Sequence, residues 1–261
     1  MTHFSLPATI PQRALVALAI ATAIGGMAFS PSASTHEERG HILIADQFNN
    51  RVVAIDRDTH RVLWHFGNGS DLPGPNSIVG VNDAERFGIF TLISGTGIPP
   101  SNPALPGCAD PVNGCPDNRV LIVDRDGDSV WQYGMAGITG SGPNQLNAPV
   151  HSLFLTRFPH HPGPHVLITD QGNQRIILVN LRHKIVWQYG KTGTAGNGPN
   201  QLSNPNSAEV LKNGHILIAD ESNNRGIEAT PALQIVSSSP RWAPERRRLR
   251  QPAGQRQHAD Q

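Results

Sequence analysis

Short apolar runs alternate with polar turns through most of the chain. The runs contain four to six residues, are rich in Ile, Val and Leu, and are bounded by Gly, Asn or Asp. Runs of this length and composition are typical of β-strands joined by tight turns. The 26 Gly and 22 Pro follow no collagen-like period and argue against a helical bundle. We therefore predict an all-β protein.

The strand pattern repeats along the chain. A segment that opens with Asn-Arg or Gln-Arg occurs four times, beginning at Asn50, Asn118, Gln174 and Asn224. Each copy follows a second apolar run, and in two units a Gly-Pro-Asn-Gln-Leu element leads into a further run. Each unit therefore contains four short strands, and a four-stranded unit repeated at this length is a β-propeller blade. We predict about four such blades in residues 35–237.

Two features depart from the repeat. The first unit has no clear leading strand before His41, and the second carries a Pro-rich insert at residues 95–117. The insert contains both cysteines of the chain, Cys108 and Cys115. In an oxidising compartment they would close a short loop that stabilises the fold by about 2–3 kcal/mol. A structural zinc site needs four ligands, so we predict a disulfide.

The repeated motif resembles a known family. The run Leu-Ile-Ala-Asp220, followed by three residues and Asn224-Arg225, with Asn213-Gly214 before it, is similar to the NHL-repeat β-propellers. The likeness covers about residues 40–236, with the cysteine insert as a departure. It implies a ring that commonly has six blades, of which about four are present, so the chain resembles a truncated six-bladed ring. The motif indicates the fold rather than the function, because propellers carry many unrelated activities.

Acidic and basic residues recur at fixed positions of the repeat. A carboxylate that ends one strand and an arginine that begins the next can form an ion pair across the turn. Because the pair occurs in several blades, we interpret it as architecture rather than as a catalytic site. The predicted pairs are Asp46 with Arg51, Asp170 with Arg175, and Asp220 with Arg225.

The two ends of the chain differ from its middle. Residues 1–34 carry one basic residue, Arg13, and then an apolar run that is too short to span a bilayer and is followed by small residues. This is typical of a signal peptide, so we predict a secreted or periplasmic protein without a membrane span after cleavage. Residues 238–261 form a basic tail that has the composition of a disordered segment. A back-translation of the tail, shifted by one base, resembles residues 207–218, which raises the alternative of a frameshift near codon 237.

The net charge of +1 conceals an uneven distribution of charge. Residues 35–237 contain 14 Lys and Arg against 18 Asp and Glu, and the tail carries the compensating positive charge. An acidic repeat region is a poor electrostatic partner for a phosphate backbone, so we expect no binding to nucleic acid.

A few residues could carry chemistry of their own. His151 lies at the start of a leading strand, near the predicted propeller axis, and its position in the other units is not histidine, which makes it the candidate site residue. Asp124, Asp126 and Asp128 resemble a calcium loop, but an EF-hand needs Glu where Met135 stands. The same offset in the other units is a turn, so we interpret this segment as a hairpin.

The repeated tryptophans allow two interpretations, a cofactor-docking motif or part of the core between blades. Residues 54–64 resemble the docking motif of pyrroloquinoline-quinone propellers, except that His60 stands where Gly is expected. Trp64, Trp131 and Trp187 are more simply core between blades, so we expect no cofactor.

Repetition without a unique catalytic constellation favours a binding scaffold for a protein, peptide or glycan on one propeller face. The alternative is a propeller lyase or hydrolase with an axial metal, or a quinone-dependent propeller.

Overall fold

The computed structural model describes residues 40–240. Fifteen strands form four antiparallel sheets, one after another along the chain, which we number as blades 1–4. Blade 1 contains β1 (His41–Asp46), β2 (Arg51–Asp56) and β3 (Val62–Phe66); blade 2 contains β4 (Val81–Phe87), β5 (Phe90–Gly95), β6 (Arg119–Val123) and β7 (Ser129–Tyr133); blade 3 contains β8 (Pro149–Leu155), β9 (His165–Asp170), β10 (Arg175–Asn180) and β11 (Ile185–Tyr189); blade 4 contains β12 (Pro205–Val210), β13 (Ile216–Asp220), β14 (Arg225–Ala229) and β15 (Ile235–Pro240).

The predicted all-β propeller architecture is confirmed. Three sheets have four strands in meander order, and within the described residues the first has three, in keeping with its missing leading strand. The leading strands of blades 2, 3 and 4 contact one another in order, β4 with β8 and β8 with β12, and β4 also contacts β1, the first described strand of blade 1. The predicted signal peptide, and all of the basic tail that follows residue 240, lie outside the described range.

The middle strand pair has one register in all four blades. Asp46 pairs with Arg51, Asp170 with Arg175 and Asp220 with Arg225, while in blade 2 the residue opposite the arginine is a glycine. In blades 1, 3 and 4 the two strands are joined by a three-residue 3-10 helix that ends in a left-handed residue. Asparagine, which tolerates this conformation, takes that position in blades 1 and 4.

Aliphatic side chains fill the space between neighbouring blades. Leu92 and Leu167 occupy the same register on the second strands of blades 2 and 3, and each packs against the blade that follows. The next residue in each strand, Ile93 or Ile168, points the other way and packs against the preceding blade. The alternation follows from the two-residue period of a strand, which sends successive side chains to opposite faces.

Tryptophans tie each blade to the next, which confirms their predicted place between blades. The indole Nε1 of Trp64 donates to the carbonyl oxygen of Arg125 at 3.0 Å, in the outer hairpin of blade 2. Trp131 and Trp187 donate in the same way to the hairpins of blades 3 and 4, at 3.2 and 2.8 Å. A tryptophan buried at such a contact supplies apolar area and still satisfies its N–H.

The cysteine insert folds back over blade 1. Cys108 and Cys115 form the predicted disulfide, with their Cα atoms 5.7 Å apart. The amide of Asn50 donates to the carbonyl oxygen of Gly107 at 2.6 Å, and the backbone N–H of Ala109 donates to Asp71 at 3.0 Å. Within residues 40–240 no helix is long and apolar enough to cross a membrane.

Candidate functional site

Each predicted Asp–Arg pair forms an ion pair, and blade 3 shows the arrangement best. Arg175 Nε donates to Asp170 Oδ2 at 2.7 Å, and the amide of Asn173 donates to the same oxygen at 2.8 Å. The other oxygen, Oδ1, accepts the backbone N–H of Asn147 at 2.8 Å. Both charged side chains are buried. We call this set of contacts, an aspartate with one oxygen held by an arginine and the other oxygen held by a second N–H donor, the clamp.

Blades 1 and 4 carry the same clamp in different surroundings. Arg225 donates to Asp220 at 2.7 Å, the carboxylate is fully buried, and its second oxygen accepts the N–H of Ser203. In blade 1 the distance from Arg51 to Asp46 is 2.8 Å, yet the arginine side chain is 48% exposed. In blade 1 the second oxygen of Asp46 accepts the amide of Asn49 instead of a loop N–H, and the ion pair lies in a more exposed environment than the pair of blade 4.

Blade 2 contains a clamp that the sequence analysis missed. Gly95 takes the strand-end position, and Asp117, at the end of the insert, supplies the carboxylate instead. Asp117 Oδ1 accepts Arg119 Nε at 2.6 Å, and Oδ2 accepts the backbone N–H of Val79 at 2.7 Å, the counterpart of the Asn147 contact in blade 3. A Cβ placed on Gly95 would lie 2.8 Å from the Asp117 carboxyl carbon. The loop carboxylate thus fills the space that a strand-end aspartate would occupy.

The carboxylates of the buried clamps are engaged by groups of the protein itself. Both oxygens of the Asp117 and Asp170 carboxylates are occupied by N–H donors of the protein itself. Burial raises the pKa of both carboxyls, and the adjacent guanidiniums oppose that shift. In blade 1, burial is the largest single influence on Asp46 and raises its pKa. The hydrogen bonds from Arg51 and Asn49, with the charge of Arg51, together outweigh burial and hold the pKa below its ordinary value.

His151 lies on the leading strand β8 with its side chain partly exposed. The same register holds Asp83 on β4 and Ser207 on β12, since all three pair with equivalent positions of the second strand. The leading strands therefore present three different residue types at this level. Within residues 40–240, His, Cys, Asp and Glu side chains do not come together in groups of three that could hold a metal.

Two carboxylates of β4 have a role that the sequence did not reveal. Asp83 and Glu85 accept the backbone N–H groups of Ser152 and Phe154, at 3.0 and 3.1 Å, along the free edge of β8. They satisfy an edge that would otherwise lack partners between blades 2 and 3. Burial raises the pKa of Glu85, and the nearby Asp83 adds to the shift. The alternation Asp-x-Glu in a leading strand was the available signal.

The acidic segment at Asp124 is a hairpin turn that joins β6 and β7. Asp124 Oδ1 accepts the backbone N–H groups of Asp126 and Asp128, at 3.0 and 2.9 Å. Asn180 caps the corresponding turn of blade 3 through the same backbone contacts, and Asp56 caps that of blade 1 by accepting from Asp58 and Thr59. An aspartate or asparagine that accepts from the backbone two to four residues later is the ordinary chemistry of such turns.

A histidine stands at or directly before the start of the second strand in blades 1, 3 and 4, and those of blades 3 and 4 have unlike surroundings. His165 is buried and lies 2.8 Å from the carbonyl oxygen of Gly163, and burial lowers the pKa of its imidazole. His215 lies 2.6 Å from Glu228, which also accepts the amide of Asn213. Hydrogen bonds from His215 and Asn213 lower the pKa of Glu228.

An open groove of about 520 Å³ lies beside the insert. One wall is the disulfide loop, and the other comes from the loops that follow β3 and β7. Leu72 in the wall is 72% exposed, and Val112, which follows a lining proline, is 76% exposed. We call this feature the insert groove; its lining includes Asp71, Leu72, Pro73, Asp110, Pro111 and Pro116.

No protein-family model matches the chain, and no curated protein matches it. Among solved structures, it is similar to a streptogramin B lyase at 13% identity (TM-score 0.49, 78% of this chain and 52% of that one). It is also similar to a catalytically inactive virginiamycin B lyase from Staphylococcus aureus with quinupristin, at 13% identity (TM-score 0.46, 77% and 52%). A third is the WD40 propeller domain of Doa1, at 11% identity (TM-score 0.47, 77% and 51%). The chain spans about half the length of these proteins.

Proposed function

We propose that the chain is an exported NHL-type propeller whose insert groove binds an extended peptide segment of a partner protein. The observation that carries this proposal is the strongly exposed Leu72 in the lining of the groove, together with the strongly exposed Val112, which follows the lining residue Pro111. Large apolar side chains with this exposure, set beside a concave surface, are typical of interaction sites.

The groove is built to keep its shape. The disulfide closes one wall, and Pro73, Pro111 and Pro116 restrict the backbone around it. The contact from Ala109 to Asp71 joins the two walls. A preformed groove loses little conformational entropy when it binds a ligand, which favours capture of a flexible segment.

The charge of the groove selects among peptides. Asp71 and Asp110 are its lining carboxylates, and the lining contains no Lys or Arg. Hydrogen bonds from the backbone and side chain of Asn113 and from Val112 hold the pKa of Asp110 below its ordinary value, so this carboxyl is ionised at neutral pH. A segment with an aliphatic side chain beside a Lys or Arg therefore complements the groove.

The compartment supports the same proposal. Disulfides persist in oxidising spaces, and Cys108 and Cys115 pair in a loop that forms part of the groove. Together with the signal-like segment at residues 1–34, this favours a binding partner outside the cytoplasm. In an oxidising compartment the disulfide would stay formed, so a ligand would bind to the groove with this wall closed.

A displayed library of random linear peptides tests the function. We expect wild-type protein to enrich sequences that combine an aliphatic residue with Lys or Arg, and the Leu72→Asp/Val112→Asp variant to bind the enriched peptides at least tenfold more weakly. Ile89→Asp is the matched control, because Ile89 is an exposed aliphatic residue in the turn between β4 and β5, outside the groove. Equal binding to wild type and the double variant would place the ligand elsewhere. Enrichment of no sequence would overturn the proposal.

A further inference from the structure

The interior blade interfaces use one aliphatic register. On the second strand of each blade, a leucine faces the following blade and an isoleucine faces the preceding one. The leucines of blades 2 and 3, Leu92 and Leu167, are 0% and 1% exposed, and the isoleucines Ile93, Ile168 and Ile218 are all 0% exposed. The interface is thus a leucine surface meeting an isoleucine surface, and it repeats from blade to blade.

The two end blades present one half of this interface each. Leu217, which occupies the leucine register of blade 4, is 44% exposed, and Ile44, in the isoleucine register of blade 1, is 38% exposed. Among residues 40–240, no segment covers the leucine surface of blade 4 or the isoleucine surface of blade 1. The two surfaces are the complementary halves of an interface that the chain already makes internally.

A hydrogen bond also repeats at the interior interfaces, and its acceptor is present in blade 4. In the interior interfaces, the side chain of the left-handed residue before the third strand accepts a backbone N–H from the loop leading into the next blade. Asn50 accepts from Gly80 at 2.9 Å, and Asn118 accepts from Ala148 at 2.8 Å. The equivalent of these residues in blade 4, Asn224, has the same left-handed conformation and is exposed. Blade 4 thus carries the acceptor for a further blade.

The outward face of blade 4 lacks two of the contacts that stabilise the interior interfaces. Ser237 stands in the register of Trp64, Trp131 and Trp187, so the indole contact to the next hairpin is lost. Glu228 stands where the interior blades carry aliphatic residues, and it is paired with His215. An interface made by this face is expected to be weaker than the interior ones and to depend on the leucine–isoleucine contact.

We infer that the outward face of blade 4 binds blade 1 of a second copy of this chain, continuing the blade register from one molecule to the next. The contact is head to tail, so each copy uses two different surfaces. The inference stands apart from the insert groove, because none of its residues lines that groove. Its basis is continuity with the three interfaces formed inside the chain.

Sedimentation velocity of the full chain and two variants tests this inference. Wild-type protein is expected to associate with increasing concentration, whereas Leu217→Asp and Ile44→Asp are each expected to remain monomeric. An equimolar mixture of the two variants is expected to form dimers and nothing larger, because it combines one intact blade 4 face with one intact blade 1 face. Ile89→Asp, altered at a residue that is 39% exposed, is the matched control and should associate like wild type.

Four results would overturn the inference. One is a wild-type protein that stays monomeric at the highest accessible concentration. Another is a mixture of the variants that does not associate, and a third is continued self-association of either single variant, which would indicate a contact between like faces. The fourth is loss of association in the control. Near-ultraviolet circular dichroism and the urea midpoint establish that each variant is folded, so that loss of association is not loss of structure.

Discussion

Blades 1 and 2 show opposite relations between sequence and environment. Blade 1 follows the repeat in sequence, with Asp46 at the strand end and Arg51 five residues later, but its clamp is exposed. Blade 2 breaks the repeat, because Gly95 replaces the strand-end aspartate, yet its clamp between Asp117 and Arg119 is buried. A match to the sequence motif is therefore not required for the ion pair to form, and the burial of the pair depends on the groups that pack around it.

The physical reason lies in desolvation. An exposed ion pair exchanges water contacts for protein contacts at little net gain. A buried pair is costly to form but far more costly to break, because the remaining charge is left without water or partner. Two clamps with nearly the same distance between Nε and the carboxylate, 2.8 Å in blade 1 and 2.6 Å in blade 2, should therefore respond very differently to mutation.

The largest expected effect is on the blade 2 clamp. Asp117→Ala leaves the buried guanidinium of Arg119 and the N–H of Val79 without their acceptor. We expect the free energy of unfolding to fall by about 3–5 kcal/mol. The matched change in blade 1, Asp46→Ala, should cost no more than about 1 kcal/mol. Urea unfolding of both variants measures the difference, and equal losses would contradict the role given to burial.

The second effect concerns the aliphatic register. Ile168→Ala removes a fully buried side chain between blades 2 and 3, for which we expect a loss of about 2–5 kcal/mol. Ile44→Ala, in the same register at the open face of blade 1, should change stability by less than about 1 kcal/mol in the monomer. Chemical denaturation at a protein concentration below that of association compares them. A large loss from Ile44→Ala would show that this face is covered in the monomer.

The third effect concerns the insert that delivers Asp117. Replacing both cysteines, Cys108→Ser/Cys115→Ser, frees a short loop, and we expect a loss of about 2–3 kcal/mol. The rate of amide hydrogen exchange should rise most in β5 and β6, because these strands flank the insert. Strands β13 and β14 of blade 4 serve as the internal reference. An equal rise in the exchange rate across all blades would show that the disulfide does not act locally on the blade 2 clamp.

The smallest effect is a dependence on pH. Burial raises the folded-state pKa of Glu85 above its unfolded value, so folding is favoured by the protonated carboxyl. Its contribution is complete below the unfolded pKa and is lost as the pH rises through the raised folded pKa. The stability of wild type relative to Glu85→Gln should therefore decline over that window. Glu209→Gln, at the equivalent but exposed position of β12, is the control and should show less decline.

Much of the fold was predictable because it depends on local patterns. Strand periodicity, the repeat of Trp64 and its counterparts, and the spacing of Cys108 and Cys115 all act over short distances along the chain. The blade 2 clamp was not predicted, because Asp117 does not occupy the strand-end position of the motif and its second contact, with the N–H of Val79, joins residues 38 apart in the sequence. The caps that Asp83 and Glu85 place on β8 were missed for the same reason, since their partners lie 69 residues away.

The central claim is that each blade needs one carboxylate at the clamp, wherever the chain supplies it. A double-mutant cycle on Gly95→Asp and Asp117→Ala tests this most directly by urea unfolding. Gly95→Asp alone should destabilise the protein, because its Cβ would meet the terminal Cδ1 of Ile78, which can turn aside, and the Asp117 carboxyl carbon at 2.8 Å. Asp117→Ala alone leaves Arg119 without its carboxylate partner. We predict that the double variant is more stable than either single variant, since the strand-end aspartate then restores the arrangement of blade 3. Losses that simply add in the double variant would contradict the account.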